Sequence, residues 1–234
     1  MALAAKDVTI RFGGVVAVSR MALDAAQGEI VGLIGPNGAG KTTFINCLCG
    51  TYRPDTGRAL WQGQELLGLA PSALLRRGVA RTFQTVASLH GLTVLDLVKL
   101  GAGLGRQRDD EITESLLRPL RLAAVADAPM ESLPYGHRKA VDLARALAAK
   151  PQLLFLDEPV AGLTSQEATS MAAVIRDVRD RFGCTVVMVE HKMDVVMSTC
   201  DRIAVMAAGA KIFEGSPAEV QSDAEVRRVY LGEA

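Results

Sequence analysis

The stretch Gly35-Pro36-Asn37-Gly38-Ala39-Gly40-Lys41-Thr42-Thr43 has the spacing G-x-x-x-x-G-K-[ST], that of a loop that cradles phosphate. Its residue types supply the chemistry. Glycines let the backbone curl until successive N–H groups point at phosphate oxygens, and a helix starting at the end of the loop adds the positive end of its dipole. Lys41 brings a charge for the β and γ phosphates of a nucleotide, and Thr42 a hydroxyl for Mg²⁺. Far along the chain, Asp157 and Glu158 follow the apolar run 153–156. Asp157, held at a strand end, suits a metal bound through water, and Glu158, one residue on, can point at an attacking water instead. Two adjacent carboxylates beside a metal triphosphate suit hydrolysis, one serving the metal and the other orienting or deprotonating water.

These residues need elements to hold them in one place. The apolar run 30–34 reads as the strand that feeds the phosphate loop, and 42–49 as the helix that leaves it. Upstream, alternating runs at 8–12, 15–18 and 21–25, punctuated by Gly13-Gly14 and Gln27-Gly28, predict antiparallel strands, joined by another at 58–62. Pro71 opens a short helix that stops at Gly78, and a strand follows over 79–83. From 84 to about 149 β-branched runs vanish, which predicts a helical subdomain with helices at 92–100, 111–117 and 122–126 and a longer one introduced by Leu133-Pro134-Tyr135-Gly136. After the short apolar strand 153–156, a capping box, Thr164-x-x-Glu167, starts a helix ending near Gly183. Strand 184–189, helix 193–199, a hairpin of strands 202–206 and 210–214, and a terminal helix opened by Ser216-Pro217-Ala218-Glu219 complete the chain.

The pattern is α/β: a sheet of parallel strands flanked by helices, with an antiparallel β part and an inserted helical subdomain. It predicts one domain over 1–234, in which 1–83 and 150–234 form the core and 84–149 the insertion. Parallel strands ending at the phosphate loop, at Gln84, at Asp157-Glu158 and at His191 would bring all four to the crevice where α/β sheets bind ligands. Lys plus Arg is 26 and Asp plus Glu is 26, so no global field favours nucleic acid. Hydrophobic residues make up 49%, yet in runs too short to span a bilayer. The start of the chain lacks the features of a secretory signal, which implies the cytosol and reduced thiols for Cys47, Cys49, Cys184 and Cys200.

Taken together, these motifs resemble the nucleotide-binding subunits of ATP-binding cassette (ABC) transporters over residues 8–231. By that resemblance Gly35 to Thr43 is the phosphate loop, Gln84 the glutamine loop that reaches the metal, Leu133-Pro134-Tyr135-Gly136-His137 the signature, Asp157-Glu158 the second acidic motif and His191 the sensor of the γ phosphate. Phe12 stands where the family keeps an aromatic that stacks on adenine, although a Phe at a strand end is also an ordinary core residue. Arg11-Phe12-Gly13-Gly14, Arg81-Thr82-Phe83-Gln84 and Val229-Tyr230-Leu231-Gly232 are similar to the branched-chain amino-acid uptake group, to which the lipopolysaccharide-export cassette lies close. The resemblance implies ATP and Mg²⁺, a second cassette, identical or homologous, whose signature completes each site, transmembrane permease subunits, indirectly a solute-binding protein, and a place at the cytoplasmic face of the inner membrane. Apolar residues near Gln84, including Val86, Leu89 and Leu92, are candidates for the surface that receives a permease helix, or else core.

The chain departs from the family at the signature, where Pro134 replaces a serine, at 161–164, where the family often ends its loop in Asp, and at Lys192, where the subgroup has Asp after the histidine. Two other classes compete. One is a cassette ATPase acting on nucleic acid or ribosomes, against which stands the lack of a second phosphate loop or a long heptad run. The other is a regulator that binds ATP without turnover.

Overall fold

The computed structural model describes residues 2–82, 91–103 and 108–231. In chain order it begins β1 (Leu3–Phe12), β2 (Val15–Ala25), β3 (Ile30–Ile34), α1 (Lys41–Leu48), β4 (Thr56–Trp61) and β5 (Gln64–Glu65). Then come α2 (Pro71–Arg76), β6 (Val79–Arg81), α3 (Val94–Ala102) and α4 (Asp109–Ile112), which runs on as a π-helical turn, Thr113–Leu117. The second half holds α5 (Tyr135–Ala148), β7 (Leu153–Asp157), α6 (Ser165–Phe182), β8 (Thr185–Val189), α7 (Met193–Thr199), β9 (Arg202–Ala207), β10 (Ala210–Gly215), α8 (Pro217–Ser222) and α9 (Ala224–Leu231).

Two sheets result. A four-stranded antiparallel sheet has the order β2-β1-β4-β5, and a six-stranded sheet the order β10-β9-β3-β8-β7-β6, parallel apart from the β9–β10 hairpin. In the larger sheet β3, β7 and β8 are buried on both faces, as continuous apolar runs require. Side chains alternate across it. Leu153 and Phe155 of β7 pack with Val31, Leu33, Val187 and Phe44 of α1 in a core shared with the antiparallel sheet. Leu154 and Leu156 pack on the opposite face with Val186, Met188, Leu147 of α5 and Ile175 of α6. Burying each such side chain contributes about 1.5–3 kcal/mol, so the sheet is rigid where its strands end. Parallel register sets Leu33 beside Val189, Asp157 beside Val189, and Arg81 beside Phe155, which aligns the ends of β3, β8, β7 and β6 along one edge.

Three expectations are corrected. The runs 15–18 and 21–25 are one strand, β2, because register shifts against β1 and a positive φ at Arg20 (46°) let it bend without ending. No α-helix forms over 122–126; the segment is a single 3₁₀ turn, Ala123–Val125. Arg121 (φ 58°) breaks the preceding helix, and the carbonyls of Ala126 and Ala128 accept the N–H groups of Leu95 and Val94, so these carbonyls serve the start of α3 instead of a local helix. The terminal helix is two helices, because Asp223 caps α9 by accepting the Val226 N–H at 2.9 Å.

Candidate nucleotide site

The phosphate loop is built where β3 ends. Gly35 has φ 153°, and a Cβ there would lie 2.0 Å from the Met206 carbonyl oxygen; Gly40 has φ 99°, and its Cβ would lie 2.3 Å from the Ala17 carbonyl oxygen. Both positions therefore exclude any side chain. Gly38, at the exposed tip beside Asn37, has φ 80° and open space around it, room for an anion to approach the backbone. Pro36 is half-buried and accepts the Ala39 N–H at 3.2 Å, which closes the turn, while Ala39 is buried. Gly40 is the N-cap of α1 and supplies no side chain to its first N–H groups, so these point into the loop. Lys41 is buried, and its Nζ donates to the carbonyls of Gly35 (2.7 Å) and Pro36 (2.9 Å). Burial pulls its ammonium below the usual lysine range, and the Glu158 and Asp157 carboxylates partly restore it. A third hydrogen is free to meet phosphate. Thr42 and Thr43 are half-buried in the first turn.

Across the sheet edge, Thr42 Oγ1 lies 3.5 Å from Asp157 Oδ1. A hydroxyl beside a carboxylate, with phosphate oxygens and waters filling the remaining positions, is a donor set that Mg²⁺ accepts. Asp157, 1% exposed, is also paired at 2.8 Å with Arg81, whose other nitrogen bonds Asn46 of α1. Sequence reasoning missed Arg81 as a site residue. Its signal was a cation at the end of a buried strand one position away from β7. Glu158, at φ 50°, turns out of the strand direction, and its Oε1 lies 3.3 Å from His191 Nε2. A left-handed backbone at a non-glycine costs about 1–3 kcal/mol and persists where neighbours over-determine it. His191 follows β8 through Glu190, a buried carboxylate that accepts the N–H groups of Val160 (2.8 Å), His191 (2.9 Å) and Lys192 (3.3 Å). Glu190 thus ties the loop after Glu158 to the loop carrying His191. Gln84, Val86 and Leu89 lie outside the described residues; Leu92 is half-buried.

Phe12 ends β1 with 46% of its surface exposed, so it is not a core residue. Its ring meets Tyr52 edge-on, with centroids 5.2 Å apart, which leaves a face for a base. Tyr52 was not expected. At the signature, Pro134 is the N-cap of α5 and not a residue of its first turn; Tyr135 stands 44% exposed, and Gly136 and His137 follow in the helix. Pro134 supplies no side-chain acceptor, so the N–H groups that begin α5, like those of α1, have no side-chain cap, and this start is exposed at Pro134, Tyr135 and His137. Sequence reasoning placed one further device correctly: the Thr164–Glu167 capping box starts α6, and its Glu167 lies against Gly136. Lys192 donates to the Leu163 carbonyl at 2.6 Å and so holds the same loop from the other side.

Among the described residues no helix is long and apolar enough to cross a membrane. Comparison with known proteins gives concordant matches. A family model described as ABC transporter matches residues 18–161. A second, described as branched-chain amino acid ATP-binding cassette transporter, matches residues 210–234. The high-affinity branched-chain amino acid transport ATP-binding protein BraF of Pseudomonas aeruginosa is 35% identical over 250 residues, spanning 99% of this chain and 98% of the relative. LivG of Escherichia coli K12, a protein of the same description, is 35% identical with the same coverage. A solved nucleotide-free ATP-binding cassette from an ABC transporter superposes with a TM-score of 0.90 at 28% identity, covering 99% of each chain.

Proposed function

The chain belongs to the ABC transporter family of ATP-binding cassettes, and from that premise we propose that it is the ATPase subunit of a branched-chain amino-acid importer. The similarity to BraF and LivG over nearly the whole of each chain carries this reading. Within the chain, residues 1–83 and 150–234 serve as the nucleotide core and 84–149 as its helical insertion. Lys41 would hold the β and γ phosphates, the N–H groups of 35–43 their oxygens, and Phe12 the base. Thr42, Gln84 and Asp157 would hold Mg²⁺, which would supply positive charge to neutralise the charge developing on the transferred phosphate.

Glu158 orients the attacking water, and His191, 3.3 Å from its carboxylate, fixes that carboxylate and meets the γ phosphate. The uncapped start of α5, from Pro134 to His137, faces the nucleotide of a second cassette, identical or homologous, so that two chains share two sites. Beside Arg81 lies a cavity of about 320 Å³ lined by Leu74, Leu75, Leu100 and Arg145. Leu75 and Leu100 are exposed apolar side chains, which suits a permease helix laid in this groove at the cytoplasmic face of the inner membrane, with a solute-binding protein beyond it.

The test is Glu158→Gln in the assembled transporter. Nucleotide binding should persist while turnover falls by at least about a hundred-fold, and uptake of radiolabelled leucine, isoleucine and valine should stop with it. Turnover within a few-fold of wild type would remove Glu158 from the reaction. An intact assembly that hydrolyses ATP yet ignores all three amino acids would reject the substrate while keeping the ATPase. Recovery from cells with ribosomes alone, after a salt wash, would reject the transporter.

A further inference from the structure

Lys139 lies one turn into α5, and although it carries a charge it is buried, 6% exposed. Its Nζ donates to the backbone carbonyl oxygen of Glu158 at 3.0 Å. The same carbonyl accepts the Ala161 N–H at 3.2 Å, and the Glu158 N–H donates to the Val189 carbonyl at 2.9 Å. The residue in the left-handed region is thus gripped from three elements: the end of β8, its own loop and the signature helix. That conformation separates two adjacent carboxylates. Asp157 continues the strand toward Thr42 and Arg81, whereas Glu158 turns to His191. The contact is reinforced nearby: Lys139 Nζ lies 5.8 Å from the Tyr135 ring centroid, and that ring packs so closely over Gly162 that a Cβ there would come within 2.8 Å of it.

We propose that Lys139 is a positioning residue for Glu158, holding from the signature helix the backbone that aims the water-orienting carboxylate. The inference rests on the role given to Glu158 above. A charged donor on a peptide carbonyl is a strong hydrogen bond, and this one joins a helix start that faces outward to a carboxylate that faces inward. A displacement of α5 is therefore passed to Glu158 of the same chain.

The experiment compares Lys139→Met, which keeps an apolar stem of similar length without a donor, with Lys139→Arg, which keeps the cation. In the assembled transporter the Met variant should lose about ten- to hundred-fold in kcat, with KM for ATP and nucleotide binding by the full chain within about threefold of wild type. Arg should restore most of the loss. Lys139→Gln, a shorter neutral donor, should fall between Arg and Met and supplies the ordering if the Met chain does not accumulate. Added to Glu158→Gln, the Met substitution should cost nothing more.

A Met variant that turns over like wild type overturns the proposal. So does a loss that Arg does not restore, one that persists in full on Glu158→Gln, or one that falls together with nucleotide binding and Tm, as a packing defect would. A dead Glu158→Gln beside a fully active Lys139→Met rejects Lys139 alone. A Glu158→Gln that turns over normally rejects the reading of Glu158 and this inference with it.

Discussion

The starts of α1 and α5 are the two helix ends assigned to phosphate, and they are built in different ways. At α3, α6 and α9 a side chain caps the first N–H groups: Thr93, Thr164 and Asp223. At α1 and α5 none does, because the N-caps are Gly40 and Pro134. The short helices α2, α4 and α7 also start without a side-chain cap, so a missing cap alone does not mark a site; what each start packs against does. Helix α1 begins in a closed loop, with Lys41 buried and two glycines packed against carbonyl oxygens. The start of α5 is open, with Tyr135 exposed and Gly136 facing side-chain atoms of Glu167 and Leu163 and no backbone oxygen. In the proposed reading the first half-site is built around α1 within this chain, and the second is offered by α5 to another cassette.

The sharpest way to break this contrast is at Gly40. Alanine there needs a Cβ 2.3 Å from a backbone oxygen at φ 99°, which nothing flexible can relieve. Nucleotide binding by the single chain, followed by titration with a fluorescent ATP analogue, should weaken by about a hundred-fold or more, since loop geometry and the anchoring lysine fail together. A Gly40→Ala chain that binds normally would mean the loop is not closed as described.

Smaller effects are expected at the open end. Pro134→Ser places a hydroxyl at the N-cap, where it can both cap α5 and donate to phosphate on the partner chain. ATPase activity of the assembly should rise by up to about tenfold, one hydrogen bond to a charged acceptor, while nucleotide binding by the single chain stays as it was. An unchanged or lower rate would show that proline already serves this end, and the two helix starts would be equal in use despite their different construction.

The smallest effect concerns the sealed flank of α1. Burial pushes the Cys47 thiol up to about 11 and the Cys49 thiol up to about 12, and Cys184 and Cys200 to about 11 and 12. In the unfolded chain such thiols ionise near 9. The folded state therefore keeps protons that the unfolded state has lost, and stability is full below pH 9 and declines as pH rises from 9 toward 11–12. At pH ~7.5, below the ionisation of an exposed thiol near 9, a thiol reagent should leave all four unmodified while labelling Tyr135→Cys readily. ATP should slow that labelling in the assembly and not in the single chain. Rapid reaction of Cys47 or Cys49 would show that α1 is not sealed, and protection of the introduced cysteine in the single chain would place the second half-site within it.

Local rules were enough for much of this. The spacing at 35–43, the apolar runs 30–34 and 153–156 and the caps at Thr164 and Ser216 each depend on a few neighbouring residues, and the structure keeps them; α7 occupies Met193–Thr199 as its pattern predicted. The segment 122–126 misled because its helix propensity was outweighed by partners about thirty residues away, the first N–H groups of α3, which bond the carbonyls of Ala126 and Ala128. The capping box at Thr93 escaped notice because its acidic partner is Asp96, shorter than the usual Glu or Gln.

The sequence by itself determined the chemistry on offer: a phosphate loop, two adjacent carboxylates, a histidine, and a signature that carries proline. Only the tertiary structure decided how these groups are aimed. Arg81 meets Asp157 across 76 residues of sequence, His191 meets Glu158 at the ends of neighbouring strands, and Lys139 reaches the Glu158 carbonyl from a separate helix. No periodicity encodes such pairings, because they depend on sheet register and on a backbone turned to positive φ at one glutamate, and both are fixed by packing around the site.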